Sequence, residues 1–81
     1  MNTVQLPGAI LYVAAPEEAT EADRIAEVEV TACVPDIEIE RVHNYMEIST
    51  PRVLFGKSFY KGLDSIRSLL EYETRQQNKL R

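Results

Sequence analysis

The stretch from Phe59 to Glu73 (FYKGLDSIRSLLEYE) constrains the fold most, because it repeats its apolar residues at a clear helical period. At about 100° per residue, Phe59, Leu63, Ile66, Leu69 and Leu70 fall within an arc of roughly 120°, the stripe a helix needs to lie on a sheet. Gly62 and Asp64 mark its start. Glycine turns the incoming chain, and the Asp64 carboxylate is placed to accept from the amides of Ser65 to Arg67, as an N-cap does. Full burial of Leu63, Ile66, Leu69 and Leu70 contributes about 1.5 to 3 kcal/mol each, on the scale of a small domain's whole net stability.

A helix of this kind needs a sheet beneath it, and the preceding residues supply strand patterns. Residues 9 to 15 (AILYVAA) are apolar on both faces, Ile10 with Tyr12 and Leu11 with Val13, as in a strand covered on two sides. Residues 25 to 34 (IAEVEVTACV) alternate, with Ala26, Val28, Val30, Ala32 and Val34 on one face and Glu27, Glu29, Thr31 and Cys33 on the other. Between these two strands, residues 16 to 23 read as a polar loop or one short helical turn. Pro35-Asp36 is a turn, and residues 37 to 48 continue the alternation if one residue bulges near Arg41. A helical reading through Ile39, Val42 and Met46 also fits that segment. Thr50-Pro51 ends it, and Arg52 to Tyr60 reads as a fourth strand, with Gly56 a bulge or a close backbone approach. The expected fold is α+β: an antiparallel β-meander of three to four strands with one C-terminal α-helix packed on one face.

The 81 residues predict one domain, with residues 1–8 a loosely held arm and 75–81 a frayed tail beyond the seam of the helix. At 44% hydrophobic and 27% charged the composition is that of a globular chain. The longest apolar run, Ala9 to Ala15, is too short to span a membrane, and no positive charge precedes it as in a signal peptide. With the single cysteine, Cys33, unable to form an internal disulfide, a cytoplasmic location is expected.

Catalytic, metal and cofactor chemistry is not indicated. Gly56-Lys57-Ser58 resembles the end of a phosphate-binding loop, but the glycine required five residues earlier is Pro51. His43 is the one histidine, with no second ligand at metal spacing, and a Cys33–His43 dyad has no supporting pattern. The carboxylate pairs Glu27 with Glu29 and Glu38 with Glu40 read as solubilising charges rather than acid–base machinery. Lys57, Lys61, Arg67, Arg75, Lys79 and Arg81, with Phe59 and Tyr60 nearby, could suggest nucleic-acid contact, but the acidic first half argues against it, and basic residues in the later turns of the helix suit its dipole.

Net charge is −4, but residues 1–50 hold ten acids against Arg24 and Arg41 (−8), while residues 51–81 hold seven bases against three acids (+4). The acids Glu17, Glu18, Glu21, Asp23, Glu27, Glu29, Glu38 and Glu40 suggest a surface for a basic protein partner, such as a nucleic-acid-binding protein. The expected function is that of a small non-catalytic binding protein. The alternative is a homodimerising scaffold, in which a two-fold partner covers the apolar residues Ile10, Leu11, Tyr12 and Val13.

The segment FYKGLDSIRSLL, through Tyr60, Gly62, Asp64, Ile66 and Leu69, resembles the strand-to-helix junction of uncharacterised small bacterial domains. The matching segment covers 12 of the 81 residues and departs from the pattern at Lys61 and in the charged tail. It implies a sheet-plus-helix fold and a bacterial or phage origin. The binding-protein expectation drawn from the acidic residues is that of small inhibitors, immunity proteins and phage anti-defence proteins of the anti-CRISPR kind, which occupy a basic surface on a partner.

Overall fold

A computed structural model describes residues 3–43 and 47–79. The chain runs β1 (Ile10–Ala14), α1 (Glu21–Cys33), β2 (Glu38–Val42), β3 (Arg52–Phe55), β4 (Ser58–Lys61) and α2 (Leu63–Lys79). The four strands form one sheet in the order β2-β1-β3-β4. The fold is therefore α+β with a C-terminal helix, but the sheet is mixed: β1 pairs in parallel with β2 and antiparallel with β3, and β3 pairs antiparallel with β4.

The meander expectation fails at residues 25–34, which form a helix to Cys33 with Val34 as its C-cap, and not a strand. The same residues satisfy both periods: Ala26, Val30 and Val34 recur every four positions, and all three are buried. Val28 separates the two readings, since strand alternation points it inward and the helix leaves it 68% exposed. Local chemistry at the helix start favours the helical period. Thr20 is the N-cap, and its side chain accepts from the Asp23 amide while Asp23 Oδ2 accepts from the Thr20 amide and hydroxyl, at 2.9 Å each. Residues 21–23, expected in a polar connection, are thus the first turn of α1. A crossover helix is also what lets β2 run parallel to β1.

Residues 38–42 form a strand as expected, whereas 44–46, over which the strand and helix alternatives extended, lie outside the described residues. The expected fourth strand is two strands. Gly56, with φ of +65°, opens a two-residue hairpin loop, and Arg52–Phe55 turns back onto Ser58–Lys61. No other heavy atom lies within 4 Å of a Cβ built there, so the turn explains this glycine and close packing does not. Phe59, expected on the helical stripe, consequently sits in β4.

Helix α2 keeps the rest of the stripe: Ile66, Leu69 and Leu70 are buried and Leu63 packs against the core. Its start differs from expectation, because the Gly62 carbonyl accepts from the Ile66 amide and Asp64 lies inside the first turn rather than at the cap. The arm and tail also differ over their described residues, 3–8 and 75–79, with residues 1–2 and 80–81 outside the described ones. Val4 and Leu6 are buried, the Val4 amide donates to the Cys33 carbonyl, and Gln5 and Gln77 exchange two hydrogen bonds of 2.9 Å. The arm is held down and covers the later turns of α2, which remains helical to Lys79.

Leu11, Val13 and Val53 join Ala26, Val30, Ile66, Leu69 and Leu70 in one core, so both helices lie on the same face of the sheet. Val30→Ala should lower unfolding free energy by about 2 kcal/mol, and Val28→Ala should change it by less than about 0.5 kcal/mol. Urea denaturation of both variants checks this, since an extended segment makes the two substitutions comparable.

Candidate functional site

Side chains alternate along a strand, so burying Leu11, Val13 and Val53 under the helices turns their neighbours to the opposite face. The strand register sets those neighbours in two rows. One row reads Glu40, Tyr12, Arg52 and Lys61 across β2, β1, β3 and β4; the next reads Glu38, Ile10, Leu54 and Phe59. Among the described residues no helix covers them. Phe59 is 48% exposed, and Ile10, Tyr12 and Leu54 are half-buried.

The face therefore carries an apolar strip between two charged borders, acidic along β2 and basic along β3 and β4. Its aromatic members touch: the Tyr12 and Phe59 ring centroids are 6.3 Å apart, and the Arg52 guanidinium lies 5.0 Å above the Phe59 ring. Arg52 is oriented by hydrogen bonds to the Ser49 carbonyl and hydroxyl. At one end of the strip the loop carrying Glu47, Ile48 and Thr50 borders a cleft beyond Ala14 and Val42.

The eight acids expected to form one partner surface have different placements. Asp23 is 2% exposed and belongs to the helix cap. Glu27 makes a bidentate pair with Arg41, at 2.8 and 2.9 Å, tying α1 to β2. Glu29 makes another with Arg67, also at 2.8 and 2.9 Å, tying α1 to α2. Glu17, Glu18 and Glu21 lie at the turn into α1, with Glu17 Oε1 3.9 Å from His43 Nδ1. Glu38 and Glu40 alone of the eight stand on the uncovered face. The expected dimer residues also divide, because Leu11 and Val13 are core and only Ile10 and Tyr12 reach that face.

Burial pushes the Asp23 carboxyl up, but the hydrogen bonds from the Thr20 amide and hydroxyl to Oδ2, with the polar groups of Thr50 and Ala14 nearby, outweigh it and hold the group below its ordinary value. The hydrogen-bonded Arg67 guanidinium likewise lowers Glu29, and the bond to Glu27 raises Arg41. These groups join structural elements to one another. Cys33 is half-buried against the core at the end of α1, while His43 follows the opposite end of β2. Gly56-Lys57-Ser58 is the hairpin turn and leads into β4, not into a helix whose N-terminus could hold phosphate. No three His, Cys, Asp or Glu side chains gather as a metal site among the described residues, and no helix is long and apolar enough to cross a membrane.

Leu54, Phe59, Arg52 and Lys61 escaped the reading of the sequence as a surface. Their signal was present in the alternation of Arg52 and Leu54 against Val53 and Phe55, and it needed the turn at Gly56 to be placed. The chain finds no significant match among protein-family models, curated proteins or solved structures.

Asp23→Asn should reduce stability near neutral pH by about 1 to 2 kcal/mol. Since the folded carboxyl titrates below the ordinary value of 3.8, its contribution is full above that pH and is lost as pH falls through the folded value. The stability gap between wild type and variant should therefore be constant around neutrality and narrow in acid, as followed by urea unfolding at several pH values. A gap that widens on acidification contradicts the assignment.

Proposed function

We propose that this protein is a non-catalytic binding module that docks a protein partner on its uncovered sheet face. One observation carries the reading: Ile10, Tyr12, Leu54 and Phe59 are contiguous there, with opposite charges along the two borders. Scattered exposed apolar residues are ordinary on a protein surface, but a contiguous patch with a polar rim is characteristic of an interaction site. The composition of the patch, two aromatic rings with an arginine, is also that of interface anchors.

A binder suits the side chains better than an enzyme does. Asp23 is engaged in a helix cap, and Glu27 and Glu29 are engaged in ion pairs. The exposed carboxylates Glu38 and Glu40 give the face a preference for a partner that brings a basic group to the β2 border. That is the manner in which an inhibitor or immunity protein occupies a basic surface, and a nucleic-acid-binding protein offers such a surface.

A photoreactive phenylalanine analogue placed at position 59, and separately at position 28 on the far side of α1, tests the proposal in the native host cell. Crosslinks to protein from position 59 that exceed those from position 28 at least about tenfold are expected, because interface anchors lie in desolvated contact with the partner. Equal yields from the two positions, or crosslinking from position 28 alone, contradict it.

A further inference from the structure

The geometry points to a second copy of this chain as an occupant of that face, in one particular orientation. This inference rests on the docking-face reading above and adds the partner and its register.

A closed dimer formed by one face packing on itself has its two-fold axis parallel to the sheets, and the two packings that keep the strands of the two sheets aligned put that axis along the strands or across them. An axis across the strands lays β2 over β2, with Glu38 and Glu40 of one copy above those of the other and basic borders above basic borders. Like charges set opposite one another in this way are strongly unfavourable. An axis along the strands, passing between β1 and β3, exchanges β2 with β4 and β1 with β3 while keeping each row at its own height. Glu40 of one copy then meets Lys61 of the other, Tyr12 meets Arg52, Glu38 lies over the Phe59 end of its row, and Ile10 meets Leu54. Each copy contributes every contact twice. The Glu40–Lys61 and Ile10–Leu54 pairs are self-complementary in this arrangement, which is the aligned packing of two sheets about 10 Å apart.

The expected strength follows from the size of the face. Four strands of four to five residues make a patch roughly 19 Å by 15 Å. That area is below the size of a stable protein interface, so a weak, transient dimer with a dissociation constant on the order of 100 µM is expected.

Sedimentation velocity on the full chain, from about 10 µM to 1 mM so as to bracket that value, tests the inference together with Glu40→Lys, Lys61→Glu and the double exchange. Both residues are exposed, and thermal melts by circular dichroism check that each variant remains folded. Wild type should dimerise over this range, each single variant should raise the dissociation constant at least about tenfold, and the double exchange should restore it to within about threefold. Wild type that remains monomeric overturns the inference. So does a dimer unmoved by the single variants, or one that the double exchange does not restore. A monomeric wild type whose position 59 crosslinks to a different protein removes the second copy as occupant while leaving the docking face standing.

Discussion

Packing of both helices on one side of the sheet is the constraint from which the other features follow. Leu11, Val13 and Val53 form the floor of the core, and α1 and α2 rest on it through Ala26, Val30, Ile66, Leu69 and Leu70. The bidentate Glu29–Arg67 pair joins the helices to each other, and the Glu27–Arg41 pair joins α1 to the sheet. Because strand side chains alternate, committing this set inward sends Ile10, Tyr12, Leu54 and Phe59 outward together. The aromatic strip is thus a consequence of how the core is made.

The charge asymmetry of the chain takes its meaning from the same topology. The first half of the chain is acidic and provides β2, the sheet edge that carries Glu38 and Glu40. The second half is basic and provides β3 and β4, which carry Arg52 and Lys61. With β1 and β3 in the middle of the sheet, a difference between halves of the sequence becomes a difference between two borders of one surface.

The parts legible in the sequence are those with one dominant period. The stripe through Leu63, Ile66, Leu69 and Leu70 and the apolar run of β1 each have a single good interpretation, and both describe the observed elements. Helix α1 was misread because Val28 and Ala32 complete a strand-like alternation over a set that also fits a helix. The feature that decides between them is Thr20-Glu21-Ala22-Asp23, a capping box with Asp in the place where Glu or Gln is usual. At the candidate site, Ile10 and Tyr12 could be read as an outward pair, whereas Arg52, Leu54, Phe59 and Lys61 could not be aligned until the hairpin was recognised. Closeness in sequence also misled for the acids: residues 27 and 29 are about 200° apart around a helix, and their carboxylates serve different neighbours.

The central claim is that among the described residues neither helix covers the face carrying Ile10, Tyr12, Leu54 and Phe59, while both helices roof the opposite one. Its most direct measurement is nuclear relaxation by a soluble gadolinium chelate, on the protein diluted until it is monomeric. Strong broadening of the Tyr12 and Phe59 ring protons with protected methyls at Leu11, Val13 and Val53 is the predicted result. Rings at positions 12 and 59 as protected as those methyls would contradict it.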